Sequence, residues 1–316
     1  MDDSYYYLLV IGGSAMIVNV LLGVAIALFA FVLQTGVGGI NRKIVGRLQK
    51  RHGPRWYQEY IDIFKLLSKR SVSHGWIFDF GVIMALGGII GTAMFMPLTS
   101  SIVAFENYDN FFIFVYLLAV GMLGMAMSAS GSGNPWASIG VMRALTTMLA
   151  YEVPFMIVVL TIVNLSGTSS ISGIQLFQQA AGNNWYLIAL PLGGIVGFIA
   201  LMGMLGKKPF ETYIAPAEIA SGPMVEYGGK QLGMLFILHE ISVFIEVSLF
   251  VHLFLGGATS ILEFVVKYFA VYTLANLISN VNGRFKIDQV VKFYYKWPLL
   301  MAVTQAIVAI YLGWVI

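Results

Sequence analysis

The sequence predicts an all-α integral membrane protein of about eight transmembrane helices, with both termini outside and a surface amphipathic helix in the first cytoplasmic loop. Three observations predict it. The 316 residues are 59% hydrophobic and only 10% charged, with a mean hydropathy of +0.83; a soluble domain carries about 25% charged residues. So little polar surface cannot cover a water-soluble globule, and a nucleic-acid binder is excluded with it. Eight apolar runs reach the length of about 20 residues that a bilayer crossing needs. The basic residues stand on alternate connections between those runs. No linker or internal repeat divides the chain, so residues 1–316 read as a single transmembrane domain.

The runs span 7–33, 80–98, 111–129, 144–165, 185–205, 232–255, 261–277 and 298–316. They are continuous rather than alternating, which excludes barrel strands. The first follows an acidic start, Asp2-Asp3, where a cleaved leader has a basic one, and is expected to be a retained span. Trp76, Trp185, Trp297 and Trp314 stand near proposed ends as interfacial anchors. Of the 18 Lys and Arg residues, nine fall in 34–75, and Arg143, Lys207, Lys208, Lys230, Arg284, Lys286, Lys292 and Lys296 fall on the later alternate connections. The positive-inside rule puts these loops in the cytoplasm. Lys267 alone lies within a run, four residues after Glu263, a spacing that reads as a structural pair.

Two cytoplasmic loops carry the polar motifs. The first, 34–75, contains Arg47-Leu48-Gln49-Lys50-Arg51-His52-Gly53-Pro54, and Gly-Pro marks a sharp turn. From Trp56 to Arg70 the period is helical, with Tyr60, Ile63, Phe64 and Leu67 on one stripe and Asp62, Lys65 and Lys69 opposite. That pattern predicts an amphipathic helix on the membrane surface or under a partner; the plain alternative is a basic loop against anionic lipid. The second loop, 206–231, holds Pro209, Phe210, Glu211, Glu218, Glu226 and Tyr227. Its three glutamates, seven and eight residues apart, share a face if the loop is helical, and crowded carboxylates in a partly dry site repel and titrate toward neutrality. Three solvated loop glutamates are the alternative.

Charges inside spans are costlier, about 2.5–3.5 kcal/mol each on insertion scales, and mark function by default. Glu152 lies in the fourth run below Arg143 and Tyr151, and Glu240 and Glu246 lie in the sixth beside His239. A structural ion pair of one of these glutamates with Lys267 or Arg143 is the competing reading. The stretch from Met122 to Met127 reads as helix packing. With no cysteine, the chain supplies no thiolate ligand for an Fe–S cluster. His52, His74, His239 and His252 lack paired-ligand spacing, so no metal site is expected.

These motifs, in this order, resemble subunit 1 of respiratory complex I and its relatives in membrane-bound nickel–iron hydrogenases, over nearly the whole chain. The family's first loop reads R-x-Q-x-R-x-G-P, then Q, D and K-L, matched by Arg47, Gln49, Arg51, Gly53, Pro54, Gln58, Asp62, Lys65 and Leu66. Its fourth span opens R-A and reaches Y-E, matched by Arg143, Ala144, Tyr151 and Glu152. Its acidic loop is matched by Pro209, Phe210, Glu211, Glu218, Gly222, Glu226, Tyr227 and Gly229, and its glutamate early in the sixth span by Glu240. Only Arg55, Trp56 and Tyr57 separate Gly53-Pro54 from Gln58, a spacing similar to the hydrogenase branch and shorter than in quinone-reducing members.

The resemblance implies an anchor and coupling subunit without a cofactor of its own. The Fe–S clusters and the nickel–iron centre would lie on peripheral hydrogenase-like large and small subunits and an Fe–S subunit, with antiporter-like membrane subunits alongside. It implies docking through Arg47, Gln49, Arg51, Gly53, Pro54, Gln58, Asp62 and Lys65, and a proton passage through Glu152, Glu211, Glu218, Glu226 and Glu240. Arg143, Tyr151, Tyr227, His239 and Glu246 would support it. A quinone-binding complex I subunit and a sulfur-compound-reducing relative are the nearest alternatives; a free-standing ion carrier is the alternative of another class.

Overall fold

The computed structural model describes residues 3–105, 108–180 and 185–311. The chain ends and Trp314, with their predicted placement, lie outside these residues. Twelve α-helices follow in order among them: α1 Asp3–Leu48, α2 Gln58–Leu67, α3 Trp76–Met94, α4 Phe111–Gly131, α5 Pro135–Ser166, α6 Ile171–Ala180, α7 Tyr186–Ala189, α8 Pro191–Met204, α9 Pro216–Ile219, α10 Gly229–Phe254, α11 Ile261–Val281 and α12 Ile287–Tyr311, with a 3₁₀ turn at Gly222–Met224 before α10. Seven of them, α1, α3, α4, α5, α10, α11 and α12, are long and apolar enough to cross a membrane. Large apolar side chains such as Leu28, Ile83, Tyr116 and Leu262 point outward from them, as a lipid-facing surface requires. The protein is an all-α, multi-pass membrane protein.

The predicted fifth span is divided. Proline fixes φ and lacks an N–H, and the run breaks at Leu190-Pro191 into α7 and the 14-residue α8. At 1.5 Å per residue α8 alone reaches only about 21 Å. Other boundaries move outward. α1 runs on from the predicted end at 33 to Leu48, so that Arg42, Lys43 and Arg47 are helical rather than in a loop. α5 begins at Pro135, capped by Asn134 accepting from Trp136 N, and therefore contains Arg143. α12 takes in Lys292 and Lys296. The connection from 166 holds α6, whose Gln175 and Gln178 are buried against the end of α10.

α10 is the central helix, packed on α1, α2, α3, α6, α8 and α11. α3 and α4 cross with their backbones nearly touching. A Cβ on Gly88 would sit 2.7 Å from Gly121 N, and one on Gly81 2.6 Å from Ser128 N. Small residues permit this approach where lipid provides no hydrophobic drive between helices. Gly88→Val is expected to destabilise the bundle by about 1–3 kcal/mol, measured as a lower thermal midpoint in detergent.

The connections sort to two ends. At one end Arg284 Nη2 donates to Glu211 Oε2, Arg143 Nη1 to Glu218 Oε2, and Gln49 Nε2 to Asn280 Oδ1. At the other, Ser170 Oγ donates to Asp109 and Gln175 Nε2 to Ala258 O. All the loops predicted to be basic thus meet at one end, which is called the basic end below.

Candidate functional site

The site begins where the chain leaves α1. Lys50 takes a left-handed φ of 55°, and the chain folds back along the helix it has just left. Glycines make room for it. A Cβ on Gly53 would lie 2.8 Å from Lys43 Cα, one on Gly46 would meet Gly53, and one on Gly39 would collide with the Trp56 backbone. The Tyr60 hydroxyl donates to Val32 O at 2.5 Å, which lays α2 alongside α1 at the edge of the span. The Gly53-Pro54 turn is thus a close approach as well as a bend. Arg47, Gln49, Arg51, Pro54, Asp62 and Lys65 are exposed, and Gly53 and Gln58 partly so. Arg51 Nε donates to Gln49 Oε1 at 2.8 Å and Gln58 Nε2 to Asp62 Oδ1 at 3.1 Å.

The helix itself is shorter than the predicted 56–70, and its buried stripe is rotated. Ile63 is buried as expected, but Phe64 is exposed, and Glu59 takes a place on the inner face. A carboxylate is accepted there because Arg42, on α1, donates to Glu59 Oε1.

The acidic loop is not one helix, and its carboxylates are not crowded. Each has its own partner: Glu211 pairs with Arg284 at 2.8 Å, Glu218 with Arg143 at 2.8 Å, and Glu226 accepts from Asn134 Nδ2 at 2.5 Å with His74 Nε2 at 3.4 Å. The expected mutual repulsion is therefore absent. The hydrogen bond from Arg143 holds the Glu218 carboxyl below its ordinary value. Arg143 is spent on Glu218 and does not pair with Glu152. Aromatic anchors fix the loop. Phe210 packs on Phe285, Phe293 and Tyr294, and Tyr227 stacks on Phe78 at 4.7 Å; burial pushes the Tyr227 phenol up to about 12. Thr212 and Thr147 share a 2.7 Å hydrogen bond, and Gly140 leaves space for Pro223.

Beneath this loop a cavity of about 140 Å³ opens between α4, α5 and α10, lined by Tyr213 and Pro223 from the loop and by Tyr151, His239, Ser242 and Glu246 from the spans. Met122 and Met125 line it too. Burial first, then Glu246 and Glu211, push the Tyr213 phenol up. A second cavity, about 40 Å³, continues inward; it shares Tyr151 and Glu246 with the first and adds Glu152. Glu246 Oε1 accepts from Ser242 Oγ at 2.8 Å, while its Oε2 is buried without a partner.

Glu240 is elsewhere. At 100° per residue, six residues turn a side chain to another face of α10, and Glu240 lines neither cavity. It faces α1 and α2, where its Oε2 and that of Glu59 both approach Gly38. The five glutamates expected in one passage thus divide into three ion-paired or amide-bound loop residues, Glu152 with Glu246 on the cavities, and Glu240 with Glu59. Sequence reading missed Glu59, Tyr213, Asn134 and Asp79, which accepts from Gln231 Nε2 and Ser73 Oγ. Glu59 carried a signal, since it lies one turn before Ile63 on the apolar stripe; the others carried none.

At the opposite end Lys267 forms the expected pair with Glu263 at 2.7 Å and also donates to Leu255 O and Gly257 O. A structural role follows. Lys267→Met leaves two carbonyls without their donor and is expected to cost about 1–3 kcal/mol, read in the same thermal melt, with no change at the basic end.

Residues 19–310 match the family described as NADH dehydrogenase. The chain is 32% identical to a subunit of the NADH-quinone oxidoreductase of Geobacillus sp. (strain WCH70) over 251 residues, covering 74% of each chain. It is 29% identical to hydrogenase-4 component C of Escherichia coli (strain K12) over 287 residues, 84% of this chain and 89% of that one. A chain of the membrane-bound sulfane sulfur reductase, an archaeal respiratory membrane complex, superposes with a TM-score of 0.87 at 39% identity, covering 92% of this chain and 99% of that one.

Proposed function

This chain belongs to the NADH dehydrogenase family, that of complex I subunit 1, and we propose that it anchors a peripheral electron-transfer arm of nickel–iron hydrogenase type and couples the arm's redox reaction to H⁺ or Na⁺ translocation. It is a membrane subunit of a complex I-like assembly. The basic end faces the cytoplasm by the positive-inside rule. The arm docks there on Arg47, Gln49 and Arg51, and it carries the Fe–S clusters and the catalytic metal. Antiporter-like membrane subunits receive the output.

The observation that carries this reading is a shared cavity: Tyr213 of the acidic loop and Glu246 and Tyr151 of the spans line the same space. Charge arriving above the loop therefore acts on carboxyls below it in a weakly screened interior, where Coulomb energies are several times those in water. Glu246 and Glu152, on adjoining cavities, respond as a set rather than singly. Their altered proton occupancy biases the neighbouring subunits. Glu211, Glu218 and Glu226, each held by a partner, sense the docked arm by exchanging that partner.

The 39% identity to the sulfane sulfur reductase chain, over 99% of its length, favours a sulfur-compound-reducing variant of this reading beside the hydrogenase one. Purification in mild detergent, mass spectrometry of the co-purifying chains and assay with protons, sulfane sulfur and quinone as acceptors test both. A hydrogenase-type large subunit with cysteine-rich partners is expected. Ion transport by this chain alone in liposomes, or inhibition by a quinone-site inhibitor, would overturn the proposal.

A further inference from the structure

The contact between α1, α2 and α10 holds two carboxyls that the cavities above do not use. Glu59 is 6% exposed and Glu240 is 4% exposed. In each, Oε2 is fully buried without a hydrogen-bond partner. Both atoms border the same glycine: a Cβ on Gly38 would lie 3.4 Å from Glu59 Oε2 and 3.7 Å from Glu240 Oε2, with Gln34 Nε2 at 3.8 Å. The charged and titratable groups facing them are Arg42 on α1, Tyr60 on α2, Lys207 after α8 and Tyr268 on α11. Arg42 binds Glu59 Oε1, whereas Glu240 forms no ion pair among the described residues. Lys207 Nζ lies over the Tyr272 ring, 5.6 Å from its centroid.

Two buried carboxylates with one bound guanidinium leave a charge uncompensated, and burying such a charge is more costly than holding a proton. One proton between the two Oε2 atoms supplies the missing donor and removes the charge. We propose that Glu59 and Glu240 share one exchangeable proton and form a proton store loaded from the basic end, separate from the Glu152–Glu246 cavities. The proton comes from water at that end, where the Arg42 side chain is half-exposed, and moves from Glu59 Oε2 to Glu240 Oε2; only O–H bonds form and break. Beyond Glu240, Gln34 Oε1 accepts from the Tyr268 hydroxyl at 2.5 Å, which continues the polar row toward α11. The coupling role of this store rests on the function proposed above; its existence does not.

Infrared difference spectra of the purified complex between acid and alkaline buffer, in H₂O and D₂O, test it. The expected result is a carboxylic C=O band that shifts in D₂O, is lost in both Glu59→Gln and Glu240→Gln, and persists in Glu152→Gln. Absence of an exchangeable carboxyl band in the unmodified complex, or its persistence in Glu59→Gln, would overturn the proposal and leave Glu59 a structural partner of Arg42. If Glu59→Gln does not assemble, Glu59→Asp keeps the carboxyl and is expected to move the band; an unmoved band sinks the idea equally. Ion transport separates the two levels. If Glu152→Gln abolishes translocation while Glu59→Gln keeps the band, only this inference fails. If the unmodified complex moves no ions, the coupling function fails and the spectra still decide the store.

Discussion

Glu246→Gln in the assembled complex is expected to abolish ion translocation while leaving assembly intact, and Glu152→Gln to reduce it strongly. Glutamine has the shape of glutamate, keeps an oxygen to accept from Ser242 Oγ, and brings an amide into the space where Oε2 lacks a partner. The exchange is therefore expected to alter stability by no more than about 1 kcal/mol, the net worth of one ordinary hydrogen bond. It removes the carboxyl common to both cavities. Glu152 lines the inner cavity alone, so its loss leaves the outer half of the route in place. Glu226→Gln differs in kind, because Glu226 is bound to Asn134 and His74; its effect is expected on docking-dependent coupling and to be smaller. The measurement is ions moved per electron in proteoliposomes, beside electron flux and intact mass of the complex. Unaltered coupling in Glu246→Gln would remove the cavities from the pathway.

How much of this was legible in the sequence depends on the range of the interaction concerned. The spans were legible because a continuous apolar run is a local property, and the basic end because charge alternates loop by loop. The continuation of α1 past residue 33 was not. Gly36, Gly38 and Gly39 weaken helix propensity, and Gln34 and Thr35 end the apolar run, yet the segment is helical because α2 and α10 bury it; tertiary packing overrides the local signal. The break of the fifth span had its sign in Pro191, although hydropathy alone passes over it. The carboxylate partners were invisible for a different reason. Arg143 and Glu218 are 75 residues apart, and Arg284 and Glu211 73, and one sequence contains nothing that pairs them. The division of Glu240 from Glu246 was readable, since helical geometry alone turns residues six apart away from one another; grouping them by proximity in sequence overlooked that angle.

Reversing Arg47 and Arg51 to Glu is expected to release the peripheral arm from the membrane without unfolding the anchor. Both side chains are exposed, and neither belongs to a buried ion pair among the described residues. The side-chain hydrogen bond lost is that from Arg51 Nε to Gln49 Oε1, and exposed substitutions of this kind usually stay within about 0.5 kcal/mol. The turn that carries them is fixed by other means, namely the Gly46–Gly53 approach and the contact of Gly39 with Trp56, so the reversed charges are presented on an unchanged scaffold. Against an acidic docking face the consequence is large. Like charges juxtaposed across an interface cost several kcal/mol, and each 1.4 kcal/mol is about tenfold in affinity, so a weakening on the order of a hundredfold or more is expected. Raising salt should narrow the difference between variant and parent, because exposed charges are screened within about 10 Å at 0.1 M. The measurement is the fraction of arm subunits retained on a tagged anchor as ionic strength rises. A loop that merely touches anionic lipid predicts full retention in the variant together with weaker binding of the isolated anchor to anionic vesicles, and that pair of results would assign the basic cluster to the bilayer surface instead.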